Sequence, residues 1–70
     1  MIERRVYHVL RREDASWQVV REGFTRPHIV RVSKAEAILL AKRLAKAGPS
    51  ARVIVHAPDH QVEREFSFIT

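Results

Sequence analysis

The stretch that decides the fold is SKAEAILLAKRLAKAGP, residues 33–49, because it specifies one helix together with its start and its end. Ser33 is a good helix N-cap, and Glu36, three residues later, completes the capping-box pattern. Gly48 is suited to the left-handed conformation that often ends a helix, and the proline after it prevents the helix from continuing. We therefore predict a helix over about residues 33–47.

The predicted helix is amphipathic. Turning 100° per residue gathers apolar side chains on one stripe, which we expect to lie on a sheet. The members of that stripe are Ala37, Ile38, Leu40, Ala41, Leu44 and Ala45. The opposite side is polar except for Leu39, which has Lys42, Arg43 and Lys46 at the i+3, i+4 and i+7 positions. Leu39 is therefore either an ordinary exposed leucine or an anchor for a partner.

The segments on both sides of the helix are predicted to be β-strands, because they are rich in β-branched and alternating apolar residues. These segments are residues 4–12, 17–21, 28–32, 51–57 and 62–69. Polar turns join the first two strands and the last two strands into hairpins. The order β-β-β-α-β-β predicts the α+β class, with a mainly antiparallel sheet covered on one face by a single helix.

One face of this sheet is expected to remain uncovered, because one helix is too narrow for five strands. Several strands are nevertheless apolar on both faces: Ile54 alternates with Val53 and Val55. A sheet face exposed to water is expected to alternate apolar and polar residues. We therefore predict that a second copy of the chain, or another protein partner, covers the surplus apolar area.

The chain length supports the same expectation. Seventy residues are predicted to form a single domain over residues 1–70, which buries only about 60% of its unfolded surface. The chain has no cysteine, so no disulfide adds stability, and association between subunits is the remaining common source of buried area. These features favour a homodimer.

The expected compartment is the cytoplasm, and no membrane contact is expected. No stretch approaches the roughly 20 apolar residues that a membrane span requires. The basic residues near the N-terminus are not followed by the apolar run of a signal peptide. The absence of cysteine suits a reducing compartment.

Net charge raises the possibility of a nucleic-acid partner. Thirteen Lys and Arg oppose eight Asp and Glu, which gives a net charge of +5. Such an excess attracts polyanions, but it also serves solubility alone. The candidate nucleic-acid contacts are Arg4, Arg5, Arg11, Arg12, Arg21, Arg26, Arg31, Lys42, Arg43, Lys46 and Arg52. Acidic residues are interspersed among them, so nucleic-acid binding is the alternative to protein association.

Tyr7 and Trp17 either stack on bases or pack in the core, and core packing is favoured.

The sequence contains no recognisable catalytic constellation. Its serines have roles as caps and turn residues, and its two glycines do not form a phosphate-binding loop. His8 and His56 approach each other only if their strands are neighbours, and a zinc site needs three or four ligands. We therefore expect these histidines to form hydrogen bonds within the sheet, and we expect a non-enzymatic protein without cofactor or metal.

Three groups of residues resemble a known family. They are YHV (7–9), WQVVREG (17–23) and SKAEAI (33–38), and the later VIVH (53–56) fits as well. The chain resembles the short prokaryotic proteins grouped as domain of unknown function 2188, in which Tyr-His-Val and Trp-x-Val-x-x-Glu-Gly strands precede a Thr/Ser-Lys-x-Glu-Ala-Ile helix. The sequence Asp59-His60 departs from the Asp-Gly turn of the family, which predicts a wider turn here. The resemblance implies a compact α+β domain and carries over no activity, cofactor or catalytic residue.

Overall fold

A computed structural model describes residues 5–68 and confirms the predicted β-β-β-α-β-β order. The elements are β1 (Arg5–Arg11), β2 (Trp17–Arg21), β3 (Ile29–Val32), α1 (Lys34–Lys46), β4 (Ala51–His56) and β5 (Val62–Phe68). The strands form one sheet in the order β3-β2-β1-β4-β5. β1 and β4 are parallel, and the other neighbours are antiparallel. Arg4 and Ile69, which the predicted first and last strands included, lie outside the described residues.

The core lies between α1 and the sheet. Its buried members are Tyr7, Val9, Trp17, Val19, Ala37, Ala41, Ala45, Ala51, Val53 and Val55. Three of these are alanines spaced four residues apart on α1, and their small side chains let the helix backbone approach the strands closely. Ile38 and Leu44 pack at the margin of this core, which confirms the predicted helix face. Tyr7 and Trp17 are only 3% and 8% exposed, so both serve packing.

The start of α1 follows the predicted cap. The Ser33 hydroxyl oxygen accepts a hydrogen bond from the Glu36 backbone N–H at 3.1 Å. The Glu36 carboxylate reaches back to accept from the Ser33 hydroxyl at 3.2 Å. These contacts satisfy one of the backbone donors that a helix start leaves free.

The end of α1 differs from the prediction. Ala47 is the C-cap in a right-handed conformation, with its N–H directed at Arg43 and Leu44 carbonyls. The prediction that Gly48 is left-handed is wrong, because Gly23 is the one described glycine with a positive φ, at +89°. Gly48 instead provides space: a Cβ on it would lie 3.1 Å from Nη2 of Arg5.

The second hairpin turn is tight although it lacks glycine. The His60 N–H donates to the Ala57 carbonyl at 2.8 Å, which closes a four-residue turn. His60 achieves this by adopting a φ of +71°, in the left-handed region that glycine adopts without strain. The expected widening is therefore absent, and His60, at the position where the family pattern has glycine, takes a left-handed backbone conformation.

The sheet face away from α1 is uncovered within residues 5–68, and we call it the open face. Cross-strand pairing assigns to it Val6, His8, Leu10, Gln18, Val20, Arg52, Ile54, His56, Glu65 and Ser67. Its aliphatic side chains on β1, β2 and β4 are half-buried by their neighbours, and Val62, paired with His56, is 63% exposed. The predicted surplus of apolar area is present on this face.

Candidate functional site

A chain of hydrogen bonds crosses the open face. Because β1 and β4 are neighbours, His8 lies opposite Ile54, and His56 lies two residues further along β4 on the same face. Nδ1 of His8 is 2.9 Å from Nε2 of His56. The outer nitrogen of His8, Nε2, lies 3.1 Å from a Glu22 carboxylate oxygen, and Nδ1 of His56 lies 3.0 Å from the His60 carbonyl oxygen. Both histidines thus have partners within hydrogen-bond distance on the open face, as expected from the sequence.

The imidazole ring of His28 stands apart from that network. His28 packs edge-on against Tyr7 and Phe24, with ring centroids 6.0 and 5.5 Å apart.

Within residues 5–68, no group of three or more His, Cys, Asp or Glu side chains is arranged to hold a metal ion. In the described part of the chain, no helix has the length and hydropathy needed to cross a bilayer.

Arg5, a predicted nucleic-acid contact, holds the carboxyl end of α1. Its guanidinium donates to the Leu44 and Ala45 carbonyls at 3.1 and 3.0 Å, and also to the Pro49 carbonyl and the Tyr7 hydroxyl. A cation at this position satisfies carbonyls that the helix leaves free and interacts favourably with the helix dipole. No local sequence signal indicates this role, because the contacts span about forty residues of chain.

The other predicted arginine contacts are dispersed over the molecule. Arg52 pairs with Glu65 at 2.9 Å on the open face, and Arg12 donates to Gln18 at 3.2 Å beside the first turn. The guanidinium of Arg21 lies 4.9 Å from the Phe24 ring centroid. Three more are half-buried or exposed without joining these groups: Arg11, Arg26 and Arg43. Arg4 and the side chain of Arg31 lie outside the described part of the protein.

Basic residues do meet aromatic rings along one margin of the sheet, where α1 approaches β5. Nζ of Lys42 lies 4.0 Å from the Phe66 ring centroid, and Nζ of Lys46 lies 5.8 Å from the Phe68 centroid. The Arg64 guanidinium lies 5.9 Å from Phe66. We call these five residues the cationic edge. Arg64 was missed from the sequence, although its spacing from Phe66 and Phe68 in an alternating strand places all three on one face.

The predicted partner anchor, Leu39, is 51% exposed on α1.

A separate depression of about 590 Å³ lies where the two hairpin turns meet. It is lined by Arg11, Arg12, Glu13, Asp14, Gln18 and His60. Both acidic and basic side chains line it, so it does not present the single sign of charge that attracts a polyanion.

A family model of uncharacterized proteins conserved in bacteria (DUF2188) matches residues 7–68. No curated protein and no solved structure matches the chain. The matched region begins in β1, ends in β5 and contains all the segments that carry the resemblance seen in the sequence. The chain therefore belongs to the DUF2188 family of uncharacterized bacterial proteins.

Proposed function

We propose that this domain is a non-enzymatic, self-associating module whose open face docks on the open face of a second copy. The observation that carries the proposal is the row of aliphatic side chains across the three central strands of that face. Val20 on β2, Val6 on β1 and Ile54 on β4 are all partly accessible, with no element of the described chain above them. Contiguous apolar area of this kind is typical of interaction surfaces.

The polar groups of the open face suit an interface because they are already paired within one copy. Arg52 is bonded to Glu65, and His8 to His56 and Glu22. Docking would therefore leave few donors or acceptors unsatisfied, which is the main cost of burying polar groups. The paired charges also offset one another, so two copies can approach through this face despite the net charge of +5.

The size of the face is sufficient for a small interface. The five strands span about 20 Å across the sheet, and the central strands are about 20 Å long. Two copies in contact through this whole face would bury on the order of 1,000 Å², the lower limit for a specific interface. An isologous pair also compensates for the small core of a 70-residue chain. The proposal places this dimer in the cytoplasm, which the cysteine-free composition favours.

Analytical ultracentrifugation at micromolar concentration tests the proposal. The wild-type chain is expected to sediment as a species of twice its 8.1 kDa mass. Ile54→Lys places a charge at the centre of the open face and is expected to give a monomer. Glu65, the cross-strand neighbour of Ile54, can pair with the new lysine, so the variant is expected to fold.

Leu39→Lys is the matched control, because it makes the same chemical change at an exposed position on α1. It is expected to leave the dimer intact. A wild-type protein that remains monomeric, or a Leu39→Lys variant that dissociates while Ile54→Lys does not, would exclude association through the open face.

The cationic edge supports a second candidate function, the binding of single-stranded nucleic acid. Positive side chains next to Phe66 and Phe68 combine phosphate attraction with flat surfaces for base stacking. Of the contacts first expected, this proposal keeps Lys42, Arg43 and Lys46 on α1, adds Arg64, and leaves out the arginines of the other strands.

Fluorescence anisotropy with a labelled oligothymidine separates this candidate from the first. We expect binding at low salt that weakens steeply as salt is added, and that weakens in the double variant Lys42→Gln/Lys46→Gln. Arg11→Gln/Arg26→Gln is the control, because it removes the same net charge elsewhere. Equal losses in the two double variants would show that net charge alone is responsible and would reject the cationic edge as a site.

A further inference from the structure

The two central histidines of the open face present ring nitrogens to each other. Nδ1 of His8 and Nε2 of His56 are 2.9 Å apart. The outer nitrogen of each ring faces an oxygen: a Glu22 carboxylate oxygen at 3.1 Å for His8, and the His60 carbonyl oxygen at 3.0 Å for His56. Carbonyl and ionised carboxylate oxygens only accept hydrogen bonds, so each outer nitrogen carries a proton.

Counting protons shows that this pair needs a cation. A neutral imidazole has one N–H, and in both rings the outer hydrogen bond uses it. The facing nitrogens of His8 and His56 then both carry lone pairs, which repel unless a positive centre, either a shared proton or a metal ion, lies between them. We propose that the pair is a two-imidazole site for a late first-row divalent metal ion, such as Zn²⁺ or Cu²⁺.

The surroundings of the pair match those of metal-bound histidines. Such residues almost always donate their second N–H to a carboxylate or a backbone carbonyl, which fixes the tautomer and orients the ring. The second N–H of His8 faces a carboxylate, that of Glu22. The second N–H of His56 faces a backbone carbonyl, in the turn that follows β4. The outer contacts thus hold both rings ready for a metal.

The ring spacing also fits. Two imidazoles bonded to a tetrahedral ion at about 2.0–2.1 Å have centroids about 5.2 Å apart and nitrogens about 3.3 Å apart. The observed centroids are 5.1 Å apart and the facing nitrogens 2.9 Å apart, so the nitrogens must separate by about 0.4 Å, which rotation of each ring about its centroid provides. The His8 side chain is 21% exposed in a single copy, so water can supply the remaining ligands while the open face is uncovered. Because no third protein ligand joins the pair within residues 5–68, we expect Cu²⁺ to bind more tightly than Zn²⁺.

Zinc titration of tag-free protein tests the site, by calorimetry and by nitrogen-15 NMR of the imidazole rings. We expect one Zn²⁺ per chain at protein concentrations low enough to leave the open face uncovered. The NMR shifts should identify Nδ1 of His8 and Nε2 of His56 as the metal-bound nitrogens. His8→Gln and His56→Gln are each expected to abolish binding, and Glu22→Gln to weaken it about tenfold through loss of the oriented tautomer.

His60→Gln is the matched control, because the carbonyl that accepts from His56 belongs to the backbone and remains. It is expected to bind zinc as the wild type does. Zinc binding that survives His56→Gln would reveal adventitious coordination elsewhere, and NMR spectra unchanged by excess zinc would show that the pair holds a shared proton only. Either result would overturn the proposal, and neither depends on the outcome of the self-association experiment.

Discussion

Within residues 5–68, two non-glycine residues adopt a backbone conformation that their side chains disfavour, and both lie in hairpin turns. Ala15 has a φ of +70° and His60 a φ of +71°. A side chain with a Cβ costs about 1 kcal/mol or more in the left-handed region. At these positions the hairpins take their shape from the closing backbone hydrogen bonds, such as the one from the Ala15 N–H to the Arg12 carbonyl at 3.1 Å.

Ala15→Gly is therefore expected to stabilise the protein by about 0.5–1 kcal/mol, the relieved strain less the greater entropy of the unfolded chain. Urea denaturation measures the change in the free energy of unfolding. Ala35→Gly, at an exposed position inside α1, is the control and is expected to destabilise by about 1 kcal/mol. A loss of stability in Ala15→Gly would contradict the idea that this turn is strained.

At the scale of the element, the carboxyl end of α1 depends on Arg5 of β1. Its planar guanidinium reaches two last-turn carbonyls and the Pro49 carbonyl, a geometry that only a forked, fixed group provides. The absence of a side chain on Gly48 leaves room for it. The contact joins β1, the middle strand of the sheet, to the end of α1, the only helix in residues 5–68.

Arg5→Gln is expected to destabilise the protein by about 2–3 kcal/mol, because several charge-assisted hydrogen bonds to helix carbonyls are lost together. Arg5→Lys is expected to recover only part of this, since an ammonium group cannot reproduce the fork. Chemical denaturation gives the values, and Arg11→Gln at the other end of β1 serves as the control. Equal effects of Arg5→Gln and Arg11→Gln would mean that the cap contributes nothing specific.

For the whole molecule, sequence reasoning succeeds where signals are local. The Ser33 cap and the alanine spacing predict α1 and its buried face, and core packing is correctly favoured for Tyr7 and Trp17. The strand order is not predictable in the same way, because the parallel pairing of β1 with β4 joins residues more than forty positions apart, such as Arg5 and Ala51. Arg5 is likewise separated by about forty residues of sequence from the helix carbonyls that it binds. The approach of His8 to His56 could be predicted only on the condition that their strands are neighbours.

Association through the open face has a thermodynamic consequence that can be measured on the whole molecule. If folding and dimerisation are coupled, mass action raises the melting temperature with protein concentration. The unfolding entropy of two 70-residue chains predicts a rise of about 4–5 °C for each tenfold increase. Calorimetry over a wide concentration range detects such a shift.

The variants decide which surface is responsible for that shift. Ile54→Lys is expected to melt at a lower temperature that no longer depends on concentration, because the charge prevents docking of the open face while the core of Val9, Val53 and the helix alanines stays intact. Leu39→Lys is expected to keep the full concentration dependence. If the wild-type melting temperature is constant with concentration, the monomer is stable alone, and the exposed aliphatic row on β1, β2 and β4 serves a partner other than a second copy.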